Sequence, residues 1–594
     1  MQNKTPIQKA VTLGQILEFE VLFPEEQPLS VGEYLAGGNR SIILNVAAYF
    51  LGFKSYNSKY DNPKELIGAI FGPENNAFAT EVYTRIRNIE SSGTRVGIIN
   101  NYSSLTLFEY FFSKGDEAET QTHAEFERNL FKAYLVLNSE FTKAQMVAFS
   151  STNELPESIK IPMITFCMQY PISDKENYDI KQIWATQMIK AIYLFQFLES
   201  YEKTQPLLQA FVKYFNSSDW VEYIKNLIPL TTSAITNENE AHTDIVVSPG
   251  EKFAEGCDFI EKLIVNDNDE LDENDFLSLR AKPFYKIEDG KYRIIFNLFV
   301  VEKIFKGIYF LLRDVNNTLE KKHKIPGLKG IYGYEFSEKT LLYNVMDIIY
   351  PDKCIKYSGQ HLADMHIDGA PDYYIRKGKN IMVFESKDFL IRADKKASFD
   401  YNVYEEEFAK TLYFEEQENG SEKAGAVMQL INTIKLLLKN QFSQDKEYYY
   451  KDVYIYPILI THDHQYDVPG FNNLVNEWFQ DELQNLQGEG FFIHHIKPLA
   501  VINIDSLIYN QVGLSKNIAL HDVLNKYYEQ IKLIKILKFP SFAALKEYQM
   551  SKLIPFSLFI DRYFSKEGIW APPPIFDLVA PALFAEEYKK LYGN

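Results

Sequence analysis

Apolar residues recur at three- and four-residue spacing through Phe126–Val136, Ile180–Leu198 and Leu207–Phe215, which predicts amphipathic helices and a mainly helical region over residues 1–265. The acidic, asparagine-rich run at 266–275 then reads as a solvated linker. It is not a calcium loop: counted from Asp267, Leu271 takes a ligand position and Asp272 the place of the turn glycine. Phe284–Ile287 and Tyr292–Phe296 flank Asp289-Gly290, a dipeptide suited to a type I′ turn, so a hairpin is expected there and a helix over Leu298–Leu312. From 325 to 510 helix and strand periodicities alternate. After Ser515 the pattern is helical again, through Ile518–Leu537 and Phe542–Leu553, before the prolines at 572–574. The expected class is an α+β multidomain protein in four segments: 1–265, 266–324, 325–510 and a helical 511–594.

At 594 residues the chain exceeds what a single small core can organise. Three widely spaced cysteines, with no CxxC pair, exclude a disulfide framework and suit a reducing compartment. The N-terminus lacks the apolar stretch of a signal peptide, and the most apolar segment, Ile294–Leu312, is interrupted by Glu302, Lys303 and Lys306. A cytoplasmic protein without membrane association is expected. The net charge of −18 opposes a polyanionic partner for the molecule as a whole. Between Asp372 and Lys396, however, seven basic residues face four acidic ones, and the sign reverses to +3.

That segment also carries the candidate chemistry. Ile381–Phe384 is an apolar run that reads as a buried strand, and alternation places Val383, Glu385 and Lys387 on one face. A carboxylate and an ammonium leaving a buried strand together are costly unless they are paired or bind a metal. Ala370–Arg376 reads as the neighbouring strand, with the turn at Gly378, which brings Asp372 to the level of Glu385. Two carboxylates and a lysine suit phosphodiester hydrolysis, in which Mg²⁺ on oxygen ligands activates water and the lysine orients it or neutralises developing charge.

Pro371-Asp372, followed after twelve residues by Glu385-Ser386-Lys387, resembles the signature of the PD-(D/E)XK nuclease superfamily, which includes restriction endonucleases and RecB-like nucleases. The resemblance spans roughly residues 330–510. It implies a restriction-endonuclease-like α/β core with a central mixed sheet. Asp372, Glu385 and the Ser386 backbone carbonyl would then hold Mg²⁺, for which Mn²⁺ should substitute, and Lys387 would be the catalytic lysine. Other acid-x-Lys triplets, at Asp289–Lys291, Glu320–Lys322 and Asp394–Lys396, fall in a turn or in charged runs, and Pro351-Asp352 is a second Pro-Asp pair. Only Glu385–Lys387 ends a buried strand.

Relatives of this kind place an acid on a helix before the first strand. Here Ser337 suits an N-cap, and Glu338 shares a face with Leu342, Val345 and Ile349, so Glu338 is a fourth candidate for catalysis and metal binding. Gln429, on a helix expected over Glu422–Asn440, and the basic Arg376 and Lys379 are candidate substrate contacts. The insertion 389–421, with Tyr401, Tyr404 and Glu405–Glu407, is a candidate recognition loop. Val453–Thr461 and Phe491–Ile496 read as further strands, the latter containing His494 and His495. Thr461–His464 reads as a polar turn, and His361, Asp364, His366 and Asp368 as a loop rim.

The resulting expectation is a Mg²⁺-dependent DNA endonuclease of prokaryotic restriction or anti-phage defence, acting as a homodimer or with a partner protein. Two alternatives are a catalytically silent nuclease fold that binds nucleic acid or protein, and an RNase. No phosphate-cradling glycine loop is present, so translocation would need a partner.

Overall fold

The computed structural model describes residues 15–592 apart from 54–58, 92–95, 116–117, 238–241, 267–270, 272–273, 352–353, 366–368, 417–421 and 533–547. Most of the acidic run, Asp352, His366, Asp368 and the first half of the helix expected over Phe542–Leu553 therefore lie outside the described residues.

Two long helices dominate the N-terminal region. Helix α1 (His123–Ser151) opens with a capping box between Thr122 and Glu125, and α2 (Ile180–Ser200) is capped by Asp179. Helix α2 is buried on nearly all sides, Lys190 included, so it is a core helix rather than a surface one. The hairpin at Asp289-Gly290 forms as expected, with Gly290 at φ +72° and Asp244–Val246 added as a third antiparallel strand. The helix expected over Leu298–Leu312 is broken. Asn297–Val301 and Glu302–Ile304 are separated from Ile308–Thr318 by a bend at which the Lys306 N–H turns to the Gln187 side chain.

Helix α3 runs through Leu328–Gly330, a wide-turned π segment at Ile331–Leu342, and Tyr343–Ile349. It leads into a five-stranded sheet made of β1 (Ile355–Ser358), β2 (Tyr373–Lys377), β3 (Asn380–Lys387) and, after helices α4 (Tyr401–Leu412) and α5 (Ala426–Leu438), β4 (Tyr454–Thr461); α6 (Phe471–Gly488) then precedes β5 (Ala500–Asn503). The spatial order is β5-β4-β3-β2-β1. Strands β3, β4 and β5 are parallel, joined by helical crossovers, while β2 runs antiparallel to both of its neighbours.

Alternation decides the two faces. Met382, Phe384, Tyr456, Ile458 and Ile460 join an apolar core that extends from Leu17 to Leu583, so the N- and C-terminal helices are built onto this face. Ile381, Val383, Ile455 and Leu459 join a second core containing α4, α5 and α6. Glu385 and Lys387 continue the second set and Ser386 the first.

Several expectations need correction here. Phe491–Ile496 is not a strand; it supplies a single bridge, Ile455–Ile496, its rings fold back on Tyr450 and Tyr454, and the edge strand is β5. The helix expected over Glu422–Asn440 begins at Ala426, because Glu422–Ala424 pairs with Phe414–Glu416. Gly425 marks the junction: a Cβ there would lie 2.7 Å from the Leu412 carbonyl carbon. The C-terminal helix expected over Ile518–Leu537 is Leu520–Ile531, followed by Phe556–Glu567. Among the described residues no helix is long and apolar enough to cross a membrane.

Candidate functional site

The β2–β3 hairpin places the candidate site residues. Its last regular pair is Tyr373 with Phe384, so Asp372 falls opposite Glu385 one step further on. There Asp372 Oδ2 accepts the Ser386 N–H at 2.7 Å, which fixes the carboxylate against the end of β3. Glu385 is fully buried, and neither of its oxygens has a hydrogen-bond partner among the described residues. Lys387 is one-quarter exposed, with Nζ 3.9 Å from Glu385 Oε2, so the site meets solvent at the lysine. In β4 the residue beside Lys387 is Thr461.

Glu338 arrives from the other face of the sheet. Helix α3 packs into the larger core through Phe336, Leu341, Leu342 and Val345, and the π turns bring Glu338 to the site. Its Oε1 accepts the Tyr343 hydroxyl at 3.1 Å, and the same hydroxyl accepts the Gln360 N–H at 3.2 Å. Ser337 is not an N-cap. It lies inside the helix, and its Oγ donates to Asp388 Oδ2 at 2.5 Å. Glu338 is therefore remote from any helix start, and the helix dipole does not account for it.

Burial, reinforced by the charge of Asp372, pushes the Glu338 carboxyl up to about 8, and the same two causes hold Glu385 well above the usual carboxylate range. A carboxylate raised in this way stabilises the fold below its unfolded value near 4.5, and that stability is lost as pH rises toward 8. Glu338→Gln is accordingly expected to stabilise the metal-free protein by on the order of 1–3 kcal/mol at pH 8. In urea titrations the gap should close by pH 5; a constant gap across that range would contradict the assignment.

The remaining candidates divide. Gln429 lies in α5, one turn before Thr433, whose hydroxyl donates to the Gly369 carbonyl at 3.0 Å in the loop leading to Asp372; the Gln429 amide oxygen is buried without a partner among the described residues. Arg376 and Lys379 are not brought to the site. Arg376 forms a bidentate pair with buried Asp445, which also accepts the Tyr374 hydroxyl, and Lys379 sits in the hairpin turn, about 20 Å along β3 from Glu385. Tyr401 and Tyr404 of the insertion are buried in α4 and do not form an exposed recognition surface.

Sequence reasoning missed the support behind β3. Ser386 Oγ lies 2.8 Å from His462 Nε2, and Lys190 of α2 donates to the His462 carbonyl at 3.0 Å and pairs with Asp505 at 2.8 Å. Burial, with Lys190 beside it, pushes His462 down to about 3, so it is a neutral ring. Asp463 is likewise buried and pairs with Lys306 at 3.0 Å, and His464 is half-buried beside it. The segment read as a polar turn is an interior junction. Its only sequence signal was the strongly apolar strand that precedes it.

The arrangement provides an ammonium, two facing carboxylates and a third carboxyl held by a tyrosine. Among the described residues no group of three or more His, Cys, Asp or Glu side chains is gathered as a preformed metal cage. The orphaned Glu385 oxygens beside Asp372 do suit a hard cation. Comparisons with protein-family models, curated proteins and solved structures returned no match to this chain.

Proposed function

We propose that the chain is a metal-dependent nuclease that hydrolyses phosphodiester bonds, with DNA as the favoured substrate. One observation carries this reading: a fully buried glutamate with no hydrogen-bond donor among the described residues, facing a second carboxylate and followed two residues later by a lysine at the solvent edge. An ion in that position is several kcal/mol unfavourable without compensation. A divalent cation supplies the compensation, and the same cation would make the site reactive.

Asp372, Glu385, the Ser386 carbonyl and Glu338 would hold Mg²⁺. When bound, the ion polarises a phosphoryl oxygen and lowers the pKa of coordinated water. The chain's own groups have separate tasks. Lys387 orients the attacking water or offsets charge at phosphorus, Tyr343 holds Glu338 in place, and Gln429 offers an amide near the substrate. The resemblance to restriction and RecB-like enzymes supports a role in prokaryotic restriction or anti-phage defence, in the cytoplasm, as a homodimer or with a partner protein.

Incubating supercoiled plasmid, linear DNA and RNA with the protein should give cleavage with Mg²⁺ or Mn²⁺ and none with EDTA. Cleavage of RNA alone would make it an RNase. Tight nucleic-acid binding with no cleavage under any metal would favour the silent-scaffold reading.

A further inference from the structure

The loop joining helix Ile308–Thr318 to α3 is strongly basic. Residues 319–330 carry four lysines and a histidine against one glutamate, a local charge of +3 in a chain of −18. Lys322 pairs with Glu320 at 3.1 Å, both side chains being largely exposed. Lys321, Lys324 and Lys329 are exposed and form no ion pair with any described residue.

This loop is built rather than loose. The buried Asn316 side chain holds Ile325 from both sides, accepting its N–H at 2.8 Å and donating to its carbonyl at 3.0 Å. Ile325 is itself buried, and the N–H groups of His323 and Lys324 both donate to the Glu320 carbonyl. Gly327, at φ +68°, then turns the chain into α3. The lysines therefore stand on a fixed knuckle, and little backbone ordering entropy remains to be lost when they meet a ligand.

Helix α3 joins the knuckle to the site. Lys329 is in the first turn of α3, nine residues before Glu338 on the same helix. The charge of Lys329 is felt by Asp388, the residue after Lys387, and α3 is pinned to Asp388 by Ser337.

We infer that the knuckle formed by Lys321, Lys324 and Lys329 is a docking surface for the phosphate backbone of nucleic acid, aligning the polymer along α3 toward Glu338, Asp372 and Glu385. The inference deepens the nuclease reading and rests on it for the identity of the polyanion. Unpaired lysines on a fixed loop supply the sequence-independent part of binding, and their field is local, as the acidic remainder of the chain requires.

The test is fluorescence anisotropy with a labelled duplex of about 20 base pairs, as DNA and as RNA, in EDTA between about 50 and about 200 mM KCl. The wild type should bind at least one of the duplexes with a steep salt dependence. The Lys321→Glu, Lys324→Glu, Lys329→Glu triple variant should bind at least about tenfold more weakly at low salt, with a log–log salt slope shallower by about 2–3. The corresponding triple glutamine variant should fall between, and both should keep the wild-type unfolding midpoint. Unchanged affinity and slope in the glutamate variant, or no binding of either duplex by the wild type, would overturn the inference. Mg²⁺-dependent cleavage in parallel separates the two readings. Full cleavage by the triple variant removes the docking surface and leaves the nuclease, whereas salt-sensitive binding without cleavage does the reverse.

Discussion

Replacing Lys387 by alanine should lower the rate of metal-dependent phosphodiester cleavage by about 10²–10³-fold while leaving nucleic-acid affinity within about threefold. The ammonium stands at the partly exposed edge of the acid pair, 3.9 Å from Glu385 Oε2, and pairing with Thr461 of β4 fixes its backbone. A group so placed acts on charge that develops in the reaction and adds little to binding of the intact polymer, so the loss should fall on the single-turnover rate. Arginine should rescue poorly. A planar guanidinium with fixed donors cannot replace a compact ammonium on a strand that permits no backbone adjustment. Stability should change little, because the side chain is partly exposed and Glu385 is already held toward its neutral form by burial and by Asp372. Single-turnover cleavage in Mg²⁺, with binding measured separately in EDTA, distinguishes these effects. A Lys387→Ala protein that cuts at the wild-type rate would remove the lysine from the chemistry.

Why this lysine could be found in the sequence while other features could not follows from the range of the forces involved. The two-residue turn at Gly378-Lys379 sets the β2–β3 register, and strand alternation sets the face, so Asp372, Glu385 and Lys387 converge by rules acting within fifteen residues. Glu338 was legible only in part. Its apolar stripe was visible, but the π turns of Ile331–Leu342 alter the spacing, and Ser337, with the chemistry of a cap, instead bonds Asp388 fifty-one residues away. Arg376 counted toward a basic segment, yet it is consumed by Asp445, sixty-nine residues on. Local charge counting cannot see such a partner. The strand expected at Phe491–Ile496 failed for the opposite reason: its aromatic composition suits a strand, but its rings pack against their own neighbours, and pairing with β4 passes to Ala500–Asn503. The ion pairs that join the three parts of the chain were invisible altogether, since each spans about a hundred residues or more.

Those pairs set the second large effect, which is on stability. Asp174, with no exposed side-chain surface, accepts from Arg280 at 2.6 Å, Lys396 at 3.0 Å and Lys175 at 3.2 Å; Asp275 shares the same three cations, and Glu302 joins Arg280 to Lys306 and, through it, to Asp463. The cluster thereby binds the N-terminal helices to the segments that follow β3 and β4. Asp174→Asn is expected to cost about 3–5 kcal/mol, because Lys175, Lys396 and Arg280 stay buried with one carboxylate fewer. Burial alone would raise the Asp174 carboxyl, but Lys175, Lys396 and Arg280 outweigh it and hold it well below the ordinary 3.8. A carboxylate depressed in this way contributes stability that is complete above the unfolded value and is lost as pH falls through the native one. The wild-type advantage should therefore be flat from about pH 5 to 8 and shrink only in acid, unlike the Glu338 effect, which grows with pH across the same range. Urea unfolding at pH 7 should show a lowered midpoint for Asp174→Asn, and limited proteolysis should cut first between β3 and α4, where Lys396 loses one of its two carboxylate partners. An unchanged midpoint at pH 7 would mean that the cluster is already neutralised by proton transfer within itself and that the three segments are held together by apolar packing alone.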